Sequence, residues 1–216
     1  QTDAYEETGV GVAADVRRRY GANSFLTLGG SLDLTRTDER DSRTLSPLGR
    51  DLLIGAVFGA ASLDRSNDVL DPTQGWRVDL RLEPTYIVGD EALPYLEVSS
   101  QATAYLPLDI QGRTVIAGRA RVGSLVGGSL SEVPASRRFY AGGGGSVRGY
   151  AYQAVGPRLA DGTPAGGLSL VELSYEARRR LTERWGVVAF VDAGSVGEAV
   201  APSGDNLSVG VGIGVR

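Results

Sequence analysis

Arg148 stands in the stretch Val147-Arg148-Gly149-Tyr150, just after four consecutive glycines, Gly142, Gly143, Gly144 and Gly145. Downstream, Glu172, Ser174, Glu176, Arg178 and Arg180 alternate with Leu173, Tyr175 and Ala177, and Asp192 shares its parity with Val188 and Phe190. A guanidinium and a carboxylate can make paired, charge-assisted hydrogen bonds. The chemistry open to this set is therefore charge pairing that holds a segment in place. Covalent catalysis has little to work with. The chain has no histidine and no cysteine, and all 22 of its basic residues are arginine. That removes Ser–His–Asp and Cys–His nucleophiles, disulfide frameworks and the usual zinc sites. Glu172 and Glu176 could be read as an acid–base pair, but they lie on one strand wall with no pocket signature. The chain is read as a non-enzyme without metal or cofactor.

The glycine stretch itself has three readings. A phosphate-binding loop would need a lysine or a following helix, and neither is present. A flexible linker is the plain reading. The flanking Arg137-Arg138-Phe139-Tyr140 and Tyr150, Tyr152 argue against a mere spacer. A loop of this length, about 127–167, inside a compact domain is functional or disordered.

The elements that must position Arg148 and the carboxylates are strands. Period two dominates the chain. Val10, Val12, Ala14 and Val16 oppose Gly11, Ala13, Asp15 and Arg17; Trp76, Val78, Leu80 and Leu82 oppose Arg77, Asp79, Arg81 and Glu83. Leu207, Val209, Val211, Ile213 and Val215 oppose Ser208, Gly210, Gly212 and Gly214. Such alternation marks strands with one apolar and one polar face. About nine runs start near Glu7, Ser24, Asp51, Gly75, Tyr95, Arg113, Leu168, Trp185 and Asn206. The run from Ile54 to Leu63 alternates poorly, and its facing stays open.

No apolar run approaches the roughly 20 residues of a membrane-spanning helix. Most of the alternating runs do reach the roughly 9–11 residues of a membrane-spanning strand. Short connections (Tyr20 to Asn23, Leu106 to Gly112, Arg180 to Arg184) are interleaved with long ones (Arg36 to Arg50, Gly127 to Gly167). This suits an outer-membrane barrel with its short turns in the periplasm. A soluble sandwich also alternates, but the polar face carries charges at strand centres while the opposite face stays aliphatic. The sequence thus predicts an all-β transmembrane antiparallel barrel with an aliphatic skin, a polar, hydrated lumen and a long inserted loop. A net charge of −4 leaves no basic footprint for nucleic acid.

The motifs resemble one family throughout: the outer-membrane assembly and translocation barrels that include BamA, TamA and the two-partner-secretion transporters. Val147-Arg148-Gly149-Tyr150 matches its Arg-Gly-aromatic loop motif. Phe139-Tyr140-Ala141-Gly142-Gly143, Gly156-Pro157, Asp71-Pro72-Thr73-Gln74-Gly75-Trp76, Gly166-Gly167-Leu168-Ser169-Leu170 and Val188-Ala189-Phe190-Val191-Asp192-Ala193-Gly194 look most like the TamA branch.

The resemblance implies that residues 1–216 are about nine strands of a barrel of roughly sixteen. The terminal strands and upstream POTRA domains would then lie outside this segment. It also implies that the loop folds into the lumen and that Arg148 meets Glu176 and Asp192, with Glu172 as second choice. The implied function is protein translocation and assembly in the outer membrane of a Gram-negative bacterium, for β-barrel and autotransporter substrates. The implied partners are outer-membrane lipid, those unfolded substrates and a TamB-like, inner-membrane-anchored protein spanning the periplasm. A two-partner-secretion transporter or passive channel is the alternative.

Overall fold

The structure, a computed structural model, describes residues 5–39 and 49–216. The middle of the charged connection between Arg36 and Arg50 lies outside the described residues. Nine strands follow one another: β1 (Tyr5–Arg19), β2 (Phe25–Glu39), β3 (Arg50–Asp64), β4 (Gly75–Val88), β5 (Ala92–Pro107), β6 (Thr114–Val126), β7 (Ser169–Arg180), β8 (Gly186–Gly197) and β9 (Ser208–Val215). They form one sheet in chain order, every neighbour pair antiparallel. All nine alternating runs of the sequence are strands. The described residues contain no α-helix, only one 3-10 turn, Ala135–Arg137.

Register follows the two-residue period. Val16 lies opposite Leu28, and Leu28 opposite Gly59. Leu82 lies opposite Gly59 in turn. One outward row thus crosses four strands. The polar row is equally continuous: Ser174 faces Asp192, and Arg121 faces Glu172. The register also settles β3. Ile54 pairs with Asp33 and Ser62 with Asp79, so Ile54, Ala56, Phe58, Ala60 and Ser62 face inward. The β3–β4 ladder has a gap at Val57 and Phe58. It falls beside Pro84, which has no N–H to donate.

The aliphatic rows have no second layer over them. Val12 is 71% exposed and Ile213 is 88% exposed. A face of this extent belongs against hydrocarbon, as in a transmembrane barrel wall.

The inner face departs from the expected hydrated lumen. Its half toward the long loop is apolar and dry. Leu52, Ile54, Ile87, Tyr95, Leu125 and Leu170 project from the wall there, and Val133, Phe139, Val147 and Val155 of the loop pack onto them. The loop's own apolar residues need burial, and the wall provides it. Charged residues fill most of the other half; in the loop-side half the buried Glu39 is paired with Arg50 and with the buried Arg138.

The connections also alternate less cleanly than expected. Gly89–Glu91 is tight on the loop side, and residues 65–74 form a longer connection on the turn side.

Candidate functional site

The segment between β6 and β7 is a folded element. It is pinned by isolated bridges Phe139–Gly167, Ala141–Val155 and Arg158–Pro164. Gly142 and Gly143 take φ of 110° and 98°, which L side chains rarely adopt. Gly144 and Gly145 have ordinary φ and open space around them. Two of the four glycines are therefore required by the turn, and two are not.

At the loop tip Arg148 is held on three sides. Its Nε and Nη2 donate to the two oxygens of Asp192 at 2.6 and 2.7 Å, and its backbone N–H donates to Asp192 at 3.1 Å. Nη1 donates to Glu176 at 2.5 Å. Nη2 also reaches the Ser174 hydroxyl at 3.2 Å, and that hydroxyl donates to Asp192 at 2.6 Å. The guanidinium lies 3.6 Å over the ring of Phe190, a cation–π contact. Asp192 is fully buried. A buried carboxylate needs this full set of donors, because an unpaired charge there is costly.

Glu172 is placed differently from the expectation. It does not meet Arg148. The Ser146 hydroxyl donates to one of its oxygens, and Arg121 lies 3.6 Å from the other. Ser146 thus lies over Glu172 and Arg148 over Glu176, so the loop tip runs along the inner face of β7. Arg119 of β6 completes the grip by donating to the carbonyls of Gly145 and Ser146 at 2.7 and 3.0 Å.

The wall is shaped for this contact. A Cβ at Gly210 would overlap the Arg148 carbonyl oxygen, and one at Gly194 would press on Val147. Tyr150 reaches β9, its hydroxyl donating to the Val209 carbonyl at 3.3 Å.

A second anchor, not anticipated from sequence, holds the loop base. Glu39 at the end of β2 accepts from Arg50 at 2.8 Å and from the Ala135 N–H at 2.9 Å. The Arg138 guanidinium sits 3.7 Å from its other oxygen, and both side chains are almost fully buried. Arg138 also donates to the Val133 and Ala165 carbonyls, each at 2.9 Å. The loop thus crosses from the β2–β3 wall to the β7–β8 wall. Arg138 was visible in sequence only as a loop-flanking arginine. Glu39 and Arg138 are separated by so much chain that no local pattern links them.

No group of three or more potential metal ligands occurs among the described residues. The arrangement can clamp and orient the loop.

A nine-stranded wall, an inserted loop and an Arg-Gly-Tyr tip form one pattern, and the Omp85 superfamily domain model matches it over residues 1–216. The chain belongs to the Omp85 superfamily. Among solved structures, BamA from Haemophilus ducreyi, lacking POTRA domains 1–3, has the same fold. It aligns with a TM-score of 0.82 at 18% identity, over 98% of this chain and 48% of that one. CdiB from Acinetobacter baumannii aligns with a TM-score of 0.61 at 15% identity, over 98% of this chain and 36% of that one. The chain therefore spans about half of one solved Omp85 barrel protein and about a third of the other. Its open nine-stranded sheet is a part of such a barrel.

Proposed function

We propose that this Omp85 segment is the bracing wall of an outer-membrane protein translocation and assembly factor of the TamA/BamA kind, in a Gram-negative bacterium. The observation that carries the reading is the clamped loop. Arg148, Asp192 and Glu176 tie an inserted segment to the wall, while Glu39 and Arg138 tie its base to the opposite strands.

In this reading the loop keeps the wall's shape while strands elsewhere in the barrel open. Nascent β-rich substrates, autotransporters among them, then pair with an exposed strand edge by β-augmentation. Further strands, upstream POTRA domains and a periplasm-spanning TamB-like partner complete the machine.

The test is complementation. Cells depleted of the native gene receive the wild-type gene or Arg148→Ala, and surface exposure of several unrelated autotransporters and barrels is followed by protease shaving. Broad loss with Arg148→Ala at normal protein level is expected. Loss of a single secreted protein, with all barrels unaffected, would assign the chain to two-partner secretion instead.

A further inference from the structure

The outer face carries a feature that clamping does not explain. Gly59 lies mid-strand in β3, with ordinary φ and nothing within 4 Å of where its Cβ would stand. Glycine weakens a strand interior, and here no turn or close backbone approach requires it. What its missing side chain creates is a trough. Gly59 and Ala61 form the floor, Leu26 and Leu28 of β2 one wall, Leu80 and Leu82 of β4 the other, with a volume of about 500 Å³. The walls stand two strand spacings apart, roughly 9–10 Å between backbones. Once the leucine side chains are allowed for, one extended hydrocarbon chain fits between them.

At the turn end of this trough stands Arg18, in the outward row beside Leu26. It is one residue from the end of β1. A lipid-facing arginine is costly at mid-bilayer and tolerated near the interface. Among the described residues Arg18 has no carboxylate partner; its guanidinium lies 5.1 Å from the Tyr20 ring. A cation at interfacial depth, opening on an apolar trough, has the shape of a phospholipid site.

We propose that the trough over β3 seats an acyl chain of an anionic phospholipid from the turn-side leaflet, with the lipid phosphate on Arg18. Both halves of the lipid are then recognised, the chain by the Gly59–Ala61 floor and the head by the arginine. The recess over β5 and β6 provides a comparison. Its floor is equally small, with Ala102, Ala104, Gly118 and Ala120, and Gly118 also has free space at Cβ, but no outward arginine lines it.

The whole-length protein is purified from nanodiscs of equal phosphatidylglycerol and phosphatidylcholine, and retained lipids are counted by native mass spectrometry. Wild type should keep one phosphatidylglycerol over phosphatidylcholine by about fivefold, the ratio that one interfacial arginine worth about 1 kcal/mol gives. Arg18→Gln should erase the headgroup preference and keep a bound lipid. Gly59→Leu, which fills the trough without backbone strain, should lose the retained lipid. Gly118→Leu should change neither.

Circular dichroism melting shows that each variant is folded. Should Gly59→Leu unfold the barrel, Ala61→Val fills the same floor by a smaller step and carries the same expectation. Equal retention of the two lipids by wild type overturns the proposal, as does unchanged retention in folded Gly59→Leu or Ala61→Val. A photo-crosslinker placed at Ala61 that captures polypeptide instead of lipid also overturns it.

Discussion

Arg148 engages Asp192 three times, through Nε, Nη2 and its own backbone N–H. The backbone contact matters as much as the fork. It fixes where the main chain of the loop lies against β8, so the pair sets position as well as holding charge. Asp192 is fully buried, while the Arg148 side chain keeps about a quarter of its surface exposed. The pair therefore lies between a wet surface bridge and a dry interior one, and is worth more than the former alone.

Arg148→Ala is expected to release the loop tip. It leaves the buried Asp192 carboxylate with Ser174 and one backbone amide, at a cost of about 1–3 kcal/mol. Hydrogen exchange of amides between Phe139 and Val155 in the whole-length protein should rise accordingly. Protection equal to wild type would show that the apolar packing of Val147 holds the tip alone. Arg148→Lys should fall between the two, because an ammonium cannot make the planar fork.

Double-mutant cycles should rank the acids. Coupling of Arg148 with Asp192 should exceed that with Glu176, which also accepts from Arg178 at 2.8 Å. Coupling with Glu172 should be close to zero, while Glu172 and Ser146 couple. An exchange of charges between positions 148 and 192 should recover only part of the loss. The Ser174 hydroxyl and the position-148 amide would still donate toward residue 192, and an arginine there cannot accept. Full recovery would mean that only net charge matters.

Glu39→Gln should be more damaging to the barrel than any change at the tip. Arg138 is buried at the loop base, and the substitution removes the carboxylate that its guanidinium, the Arg50 guanidinium and the Ala135 N–H all face; taking one partner from a buried ion pair typically costs about 3–5 kcal/mol. Thermal unfolding of the whole-length protein should shift down, and Arg138→Met in the same background should restore part of it. An unchanged midpoint for Glu39→Gln would remove the base anchor from this account.

Two glycine-to-alanine changes should act in opposite directions. Gly210→Ala places a methyl against the Arg148 carbonyl, where backbone cannot yield cheaply, and should loosen the loop without touching a charge. Gly59→Ala has free space and should be neutral or stabilising, by up to about 0.5–1 kcal/mol. Melting and loop exchange measured side by side decide it; a destabilised Gly59→Ala would contradict the open trough.

The β5–β6 turn should loosen in acid. The Asp109 carboxyl is held below its ordinary value of 3.8 by Thr114 and by the Arg113 amide. Its folded-state pKa is thus depressed, so its support is present above the unfolded value and is lost as pH falls through the lower, folded one. Amide exchange at Arg113 and Thr114, taken relative to its intrinsic rate at each pH, should quicken below about pH 4. In Asp109→Asn it should be fast throughout and free of that transition.

The strand count, their two faces and the loop's place were legible in the sequence because each depends on a local period. An alternating run such as Trp76 to Glu83 can satisfy both its faces only as a strand between oil and water. The parity that puts Glu172, Glu176 and Asp192 on the inner face is equally local. Which acid meets which donor is not. Glu172 and Glu176 have the same parity, and only the path of the docked loop assigns Ser146 to one and Arg148 to the other. The facing of β3 likewise waited on its pairing with β2 and β4, since its own residues are apolar on both sides. The dry half of the lumen and the Glu39–Arg138 anchor were decided by tertiary structure alone. They join segments about a hundred residues apart, and burial of a charge or an apolar side chain depends on which surfaces meet, which no local period encodes.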